Sequence, residues 1–392
     1  MHILLVADGR SPITRRWIQT LKALDHQVTL ISTYPCNDIE GVDALLEMPV
    51  AFAGISGSQA GQKGSPKTGI VARFRPLFQV LRDRLGPLTL RRRGKTFARL
   101  VKQIAPDVVH ALRIPYEGML ASYTPKDIPL ILSTWGNDLT LHAPATHQMT
   151  LLTQKALQRA DGLMADCARD IRLAHAWGFD PAKPSLLAVG NGGLDLEEVD
   201  AISAATPRVE PLQIINPRGM RSYVRNDTFF QAIPLVLAQH PEVKFVCASM
   251  AGQPEAEAWV EGLHLSRSVT LLPFLSQAEL WHEFARSSLS VSVTTHDGTP
   301  NSLLEAMAFG CLPVCGDIES IREWITPGVN GLLADATDFH ALADAMTLGI
   351  ENKELRAKAA KVNRELLVNR AEVGKVRYEI DMFYRKIQTS NN

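Results

Sequence analysis

The residues Thr294-Thr295-His296-Asp297-Gly298-Thr299-Pro300-Asn301-Ser302-Leu303-Leu304-Glu305-Ala306-Met307-Ala308-Phe309-Gly310 carry the end of an apolar run, 289–295, through a polar turn into a helical pattern. Pro300 suits the first turn of a helix, where a missing N–H costs nothing. The backbone amides of residues 299–303 then point off a sheet edge without internal partners, which makes a preformed anion site. Gly298, Thr299 and Ser302 are small enough to let a phosphate approach, with Asn301 and Leu303 completing the helix start. Asp297 precedes the helix and Glu305 lies about one and a half turns into it, so two carboxylates flank the ligand. Hydroxyls at both ends and phosphate between them describe a sugar nucleotide.

The same strand–turn–helix rhythm runs outward in both directions. Strands are expected at 2–7, 27–32, 107–112, 128–134, 161–166 and 184–190, with helices at 13–24, 97–104, 147–159 and 168–177. Further strands are expected at 213–216, 244–249, 269–274, 289–295, 312–316 and 331–334. Continuous Val/Ile/Leu runs separated by helical patterns predict an α/β protein with parallel sheets covered on both faces. The expected organisation is two doubly wound, Rossmann-like domains facing across a cleft: residues 1–206, residues 207–370, and a C-terminal helix in 371–392. Ligands in such folds bind beyond the carboxyl ends of the strands.

Composition narrows the class. With 46% hydrophobic and 21% charged residues, the chain of 392 residues is neither disordered nor fibrous. A formal net charge of +0 argues against general nucleic-acid binding. No apolar run approaches the ~18 residues of a membrane span, and the start is expected to be a buried strand rather than a signal peptide. The five cysteines are scattered without a two-residue-spaced pair, as for free thiols in a reducing, cytoplasmic setting. Segment 53–69 reads as a mobile loop. Segment 63–102 carries twelve Lys/Arg against one acid, Asp83. That suits a solvated helix face or a surface for an anionic membrane or acceptor, with Phe74, Leu77, Phe78, Val80, Leu81 and Leu85 interleaved.

The stretch around Asp297 resembles the signature of family 4 glycosyltransferases of the GT-B fold, in which two acids stand seven residues apart and the second precedes Ala-Met-Ala-x-Gly. Leu312-Pro313-Val314, Gly328-Val329-Asn330-Gly331, Ser133-Thr134-Trp135-Gly136-Asn137-Asp138 and Gly190-Asn191-Gly192-Gly193 resemble the same family. The resemblance covers roughly residues 1–350. It implies a retaining transferase that moves a sugar from a nucleotide donor, with Glu305 on the ribose and Asp297 on the transferred sugar. The family more usually carries Glu at the Asp297 position. It also implies a C-terminal helix packed back on the first domain.

Charge developing on a diphosphate leaving group needs a cationic partner. The chain has no Asp-x-Asp pair to chelate a metal, so arginines are expected to serve. Arg218 matches the first of the family's phosphate-gripping pair; Tyr223 stands where the second, a Lys, is usual, leaving Arg225 or Arg221, of which Arg225 is favoured. The resemblance implies that Gly9 lies in a turn that approaches the diphosphate, and Phe274 in the segment that selects the base. His110 ends a strand and points to cleft or core. A second His two residues on is common in the family, but Leu112 stands there, so Asp138 or Arg113 is expected to share its role. Ser11, Arg113 and Asp138 are candidates for acceptor contact. Two further readings stay open: a sugar-nucleotide epimerase or non-glycosidic coupling enzyme on this fold, and a non-catalytic sugar-nucleotide- or glycan-binding partner subunit.

Overall fold

The computed structural model describes residues 1–50 and 75–389, with the side chains of 75–85, 87 and 88 set aside. The expected loop at 53–69 and the apolar residues interleaved with charge at 74–85 lie outside what is described. The chain divides into two compact units, Met1–Gly192 with Val376–Asn392, and Gly193–Lys375.

In the first unit the described residues form an all-parallel sheet of seven strands: β1 (His2–Ala7), β2 (Gln27–Ser32), β3 (Ala44–Glu47), β4 (Val108–Ala111), β5 (Leu130–Ser133), β6 (Gly162–Ala165) and β7 (Ser185–Leu187). Their spatial order is β3-β2-β1-β4-β5-β6-β7. The central strands are continuous apolar runs buried on both faces, as helices on each side require. β3 lacks such a run because it is a half-exposed edge strand, and its period gave no warning.

Helix Arg75–Ile104 is far longer than the predicted 97–104. Its helical backbone continues through Gly86 and Pro87, residues that read as breakers. Leu90, Phe97 and Val101 are buried on one face. Gly94 lies so close to the Tyr123 ring that a Cβ there would sit 2.5 Å from it. The helix Val373–Thr389 buries Val376, Ile380, Phe383, Tyr384 and Ile387. From residue 376 it belongs to the first unit, where Tyr384 meets Trp17 and His110.

The second unit repeats the plan with β8 (Gln213–Asn216), β9 (Lys244–Cys247), β10 (Val269–Leu271), β11 (Leu289–Ser292), β12 (Leu312–Gly316) and β13 (Leu332–Ala334). The order is β10-β9-β8-β11-β12-β13, again parallel. The unit begins at Gly193, not after residue 206. Helix Leu196–Ala205 therefore belongs to it, and Leu194 is hydrogen-bonded to Ala371 and Val373. Residues up to Ala205 are helical and leave no linker at the expected boundary. In both units β-strand order reverses beside the first strand, which places the ligand-binding position at the neighbouring strand ends.

Candidate active site

The second unit assembles its charged residues at the ends of β8, β11 and β12. Asn216 closes β8 and pairs its amide with Asn226, Nδ2 to Oδ1 at 3.0 Å. Its Oδ1 accepts the Arg218 N–H at 3.2 Å. The following segment is tied to the extension of β11, with Thr295 N–H donating to Tyr223 O and Arg225 N–H to Val293 O. This bracing presents Arg218, whose Nη2 donates to Asp297 Oδ2 at 2.6 Å. Burial pulls the Arg218 pKa down, but Asp297 and Tyr223 outweigh it and hold the guanidinium above its ordinary value. The side chain is only 8% exposed, and its Nε has no hydrogen-bond partner.

Asp297 is itself fixed. Its Oδ1 accepts the Gly298 N–H at 3.1 Å, and the Ser320 hydroxyl donates to its carbonyl at 2.7 Å. Thr299 is buried, its hydroxyl accepting Trp324 Nε1–H at 2.9 Å. The helix spans Asn301–Ala308, with Pro300 at the N-cap rather than in the first turn and no side chain capping the start. The Ser302 hydroxyl is buried without a partner. It lines a small cavity with Ser292, Thr294, Pro300 and Leu303. Gly316 at the end of β12 has no room for a Cβ, which would lie 2.6 Å from the Thr294 carbonyl. Glu305 is 5% exposed and accepts Gln277 Nε2–H at 3.1 Å. Phe274, beyond β10, is 74% exposed.

The two candidate substitutes for the missing Lys differ. Arg225 makes a bidentate pair with Asp227, at 2.8 and 2.6 Å. Arg221 instead donates to the Tyr223 hydroxyl at 3.0 Å, and Tyr223 is one of the groups acting on Arg218. Arg225 is thus engaged by a carboxylate, whereas Arg221 meets a hydroxyl. Tyr223 and Gln277 were missed, because a tyrosine or glutamine carries no charge pattern; the occupied Lys position was the available hint for Tyr223.

In the first unit the expected site residues are mostly locked into the fold. Asp138 is fully buried and accepts from Arg113 Nη2 (2.8 Å), Ile114 N–H (2.9 Å) and Trp135 N–H (3.1 Å). It is a structural carboxylate, not one open to substrate. Burial lowers the Arg113 pKa, yet Asp138 and Glu117 outweigh that and raise it. His110 points to the core: Nδ1 meets the Tyr384 hydroxyl at 2.5 Å and Nε2 the Ser133 hydroxyl at 2.8 Å. Burial lowers its pKa to about 3, so the ring is neutral. The Gly9 N–H donates to Ser32 Oγ, and a Cβ there would lie 2.6 Å from Cys36 Sγ. Gly9 thus serves packing, and its amide is not open to a phosphate. Ser11 precedes helix Pro12–Ala23 without making a side-chain cap.

Two sequence families meet in this chain. Residues 202–366 match the family model described as "Glycosyl transferases group 1". Residues 8–190 match "Glycosyl transferase 4-like domain". Each unit thus resembles a glycosyltransferase domain. No curated protein matches it. Among solved structures, Anabaena HepE in complex with UDP is similar with a TM-score of 0.72 at 15% identity, over 98% of this chain and 100% of that one. Sucrose-phosphate synthase from Thermosynechococcus elongatus is similar with a TM-score of 0.70 at 14% identity, over 100% of each chain. A glycosyltransferase from Rickettsia africae gives 0.69 at 15% identity, over 98% of each. At such identities the likeness is one of fold.

Proposed function

We propose that this transferase moves a hexose-type sugar from a UDP- or GDP-sugar to a hydroxyl acceptor, with retention of anomeric configuration and without a metal, in glycan or glycolipid synthesis. The carrying observation is Arg218, a buried guanidinium that spends one nitrogen on Asp297 and keeps Nε unengaged. Beside it stands a helix start with no side-chain cap. A diphosphate supplies what both lack, and charge-assisted bonds to it contribute ~1.5–3 kcal/mol each. Arg221 serves as the second cation through Tyr223. Glu305, held by Gln277, accepts the ribose hydroxyls, Asp297 holds the transferred sugar, and Phe274 lies against the base. The departing phosphate takes the acceptor's proton on the face it leaves. HepE structures in complex with UDP and with UDP-glucose favour uridine as the base.

Incubation with UDP-, GDP- and ADP-sugars tests this. Free diphosphate with transferred or slowly hydrolysed sugar supports transfer. An isomerised donor points to an epimerase, and binding without turnover to a non-catalytic subunit.

The same reading puts the enzyme in the cytoplasm at the inner membrane face. Arg91, Arg92, Arg93, Lys95, Arg99 and Lys102 are exposed on helix Arg75–Ile104, and each basic group near an anionic surface contributes ~1 kcal/mol. Among the described residues no helix is long and apolar enough to cross a membrane. Flotation with anionic but not neutral vesicles is the expected result.

A further inference from the structure

A capping side chain ordinarily sets the angle at which a loop enters a helix. In the second unit the loop from Asp297 to Pro300 enters a helix that has no such cap, so ties from elsewhere fix its approach. Two side chains beyond β12 supply them. Ser320 Oγ donates to Asp297 O at 2.7 Å, and Trp324 Nε1 donates to Thr299 Oγ1 at 2.9 Å. Trp324 and Thr299 are both buried, so solvent offers neither partner a ready substitute.

We infer that Trp324 is a positioning residue for the donor's diphosphate: clamped by Arg370, its indole N–H holds Thr299, and with it the loop and helix start that receive the phosphates. The inference rests on the transferase reading and deepens its donor site, Trp324 acting through Thr299 rather than on substrate. The clamp is built from several contacts. The Arg370 guanidinium lies 3.9 Å from the centre of the Trp324 ring, within cation–π range. Arg370 Nη1 also donates to Glu323 O at 2.8 Å, fixing the preceding residue. Asn330 Nδ2 donates to Trp324 O at 2.8 Å. Asn330 is joined in turn to Asn363, Nδ2 to Oδ1 at 2.8 Å, and Asn363 Nδ2 returns to Asn330 O at 2.9 Å.

Arg370 and Asn363 both stand on the helix Lys353–Arg370, which packs against the helix Asn301–Ala308. Arg370 is its last residue, and from Val376 the chain belongs to the first unit. The donor loop is therefore braced by the stretch through which the chain leaves its unit. Such bracing matters because hydrogen-bond donors stabilise a developing charge best when they are already in place. A misplacement of about 1 Å, caused away from the chemistry, can cost on the order of 10²-fold. A phenylalanine at 324 keeps an aromatic ring beneath Arg370 but has no N–H for Thr299, so the packing and the hydrogen bond can be separated.

Calorimetry on the full chain with UDP, GDP and ADP, each beside its nucleoside, tests the assignment. For whichever diphosphate the parent binds, Trp324→Phe should lower the affinity about tenfold or more and leave the nucleoside within about twofold. Thr299→Val removes the same hydrogen bond from its other partner and should reproduce that loss. Arg370→Met should give a smaller loss of the same kind. The double variant Trp324→Phe/Thr299→Val should bind no more weakly than either single one, since both remove one bond. Any single variant that folds, judged by circular dichroism, reads the result. Unchanged diphosphate affinity, equal loss of diphosphate and nucleoside, or additive losses in the double variant overturn the inference and leave the donor reading standing. Failure of the parent to bind any of the three diphosphates overturns the donor reading, and the inference with it.

Discussion

Beyond β5 in the first unit, Asp138 is wholly buried and receives three hydrogen bonds, from Arg113 and from the N–H groups of Ile114 and Trp135. Beyond β8 in the second, Arg218 is nearly as buried, yet its Nε finds no acceptor and its neighbour is a helix start without a side-chain cap. Both residues follow a strand in a parallel sheet, where ligands bind in such folds. The difference is satisfaction. A carboxylate with three donors has completed its chemistry inside the protein, whereas the Arg218 guanidinium keeps one donor that the protein leaves unmatched. Position at a strand end nominates a residue; the hydrogen-bond inventory selects it.

This contrast can be broken by experiment. The largest effect is expected from Asp138→Ala, which leaves Arg113 without its partner and should cost about 3–5 kcal/mol of stability in urea unfolding. Unchanged stability with lost turnover would return Asp138 to the active site. Arg218→Ala should do the opposite, lowering kcat for diphosphate release by roughly 10²–10³ while the chain still folds. If its main effect is unfolding, Arg218 is a second Asp138.

His110 gives a pH test of the sealed region. Its folded pKa, about 3, lies below the ordinary 6.5, so the unfolded chain takes up a proton first on acidification. Its contribution to stability is full above 6.5 and falls by at most about 1.4 kcal/mol per pH unit below that, until near 3. Urea titrations of His110→Gln from pH 7.5 to 4.5 should therefore show a shallower acid dependence than the parent. Equal slopes would mean that the ring is not buried neutral.

Smaller again, Glu305→Gln should raise the donor KM about tenfold or more by removing a charged hydrogen-bond acceptor. An unchanged KM would remove Glu305 from the ribose. At the fine end, Arg221→Ala should weaken UDP binding several-fold. Arg225→Ala should leave it within about twofold, since an exposed pair with Asp227 contributes little. The reverse order would reinstate Arg225 as the second cation.

Much of this was legible from residue order. The buried parallel strands announced themselves as Val/Ile/Leu runs, and the strand at 213–216 and the helix at 147–159 coincide with their predicted bounds. The stretch from Asp297 to Glu305 marked a candidate site because Gly, Pro and small residues beside two acids have a local meaning at a helix start. The edge strand Ala44–Glu47 was not legible, since one exposed side removes the apolar run. Nor was the passage of helix Arg75–Ile104 through Gly86 and Pro87, two residues of low helix propensity.

The sequence by itself determined two α/β units and nominated a helix start as an anion site, because those depend on periodicity and on neighbours a few residues apart. Tertiary structure decided which charges remain available. Arg113 meets Asp138 across 25 positions and Arg218 meets Asp297 across 79. Tyr384 reaches His110 from 274 positions away. A side chain's chemistry is spent or kept according to partners that only folding brings within hydrogen-bond distance.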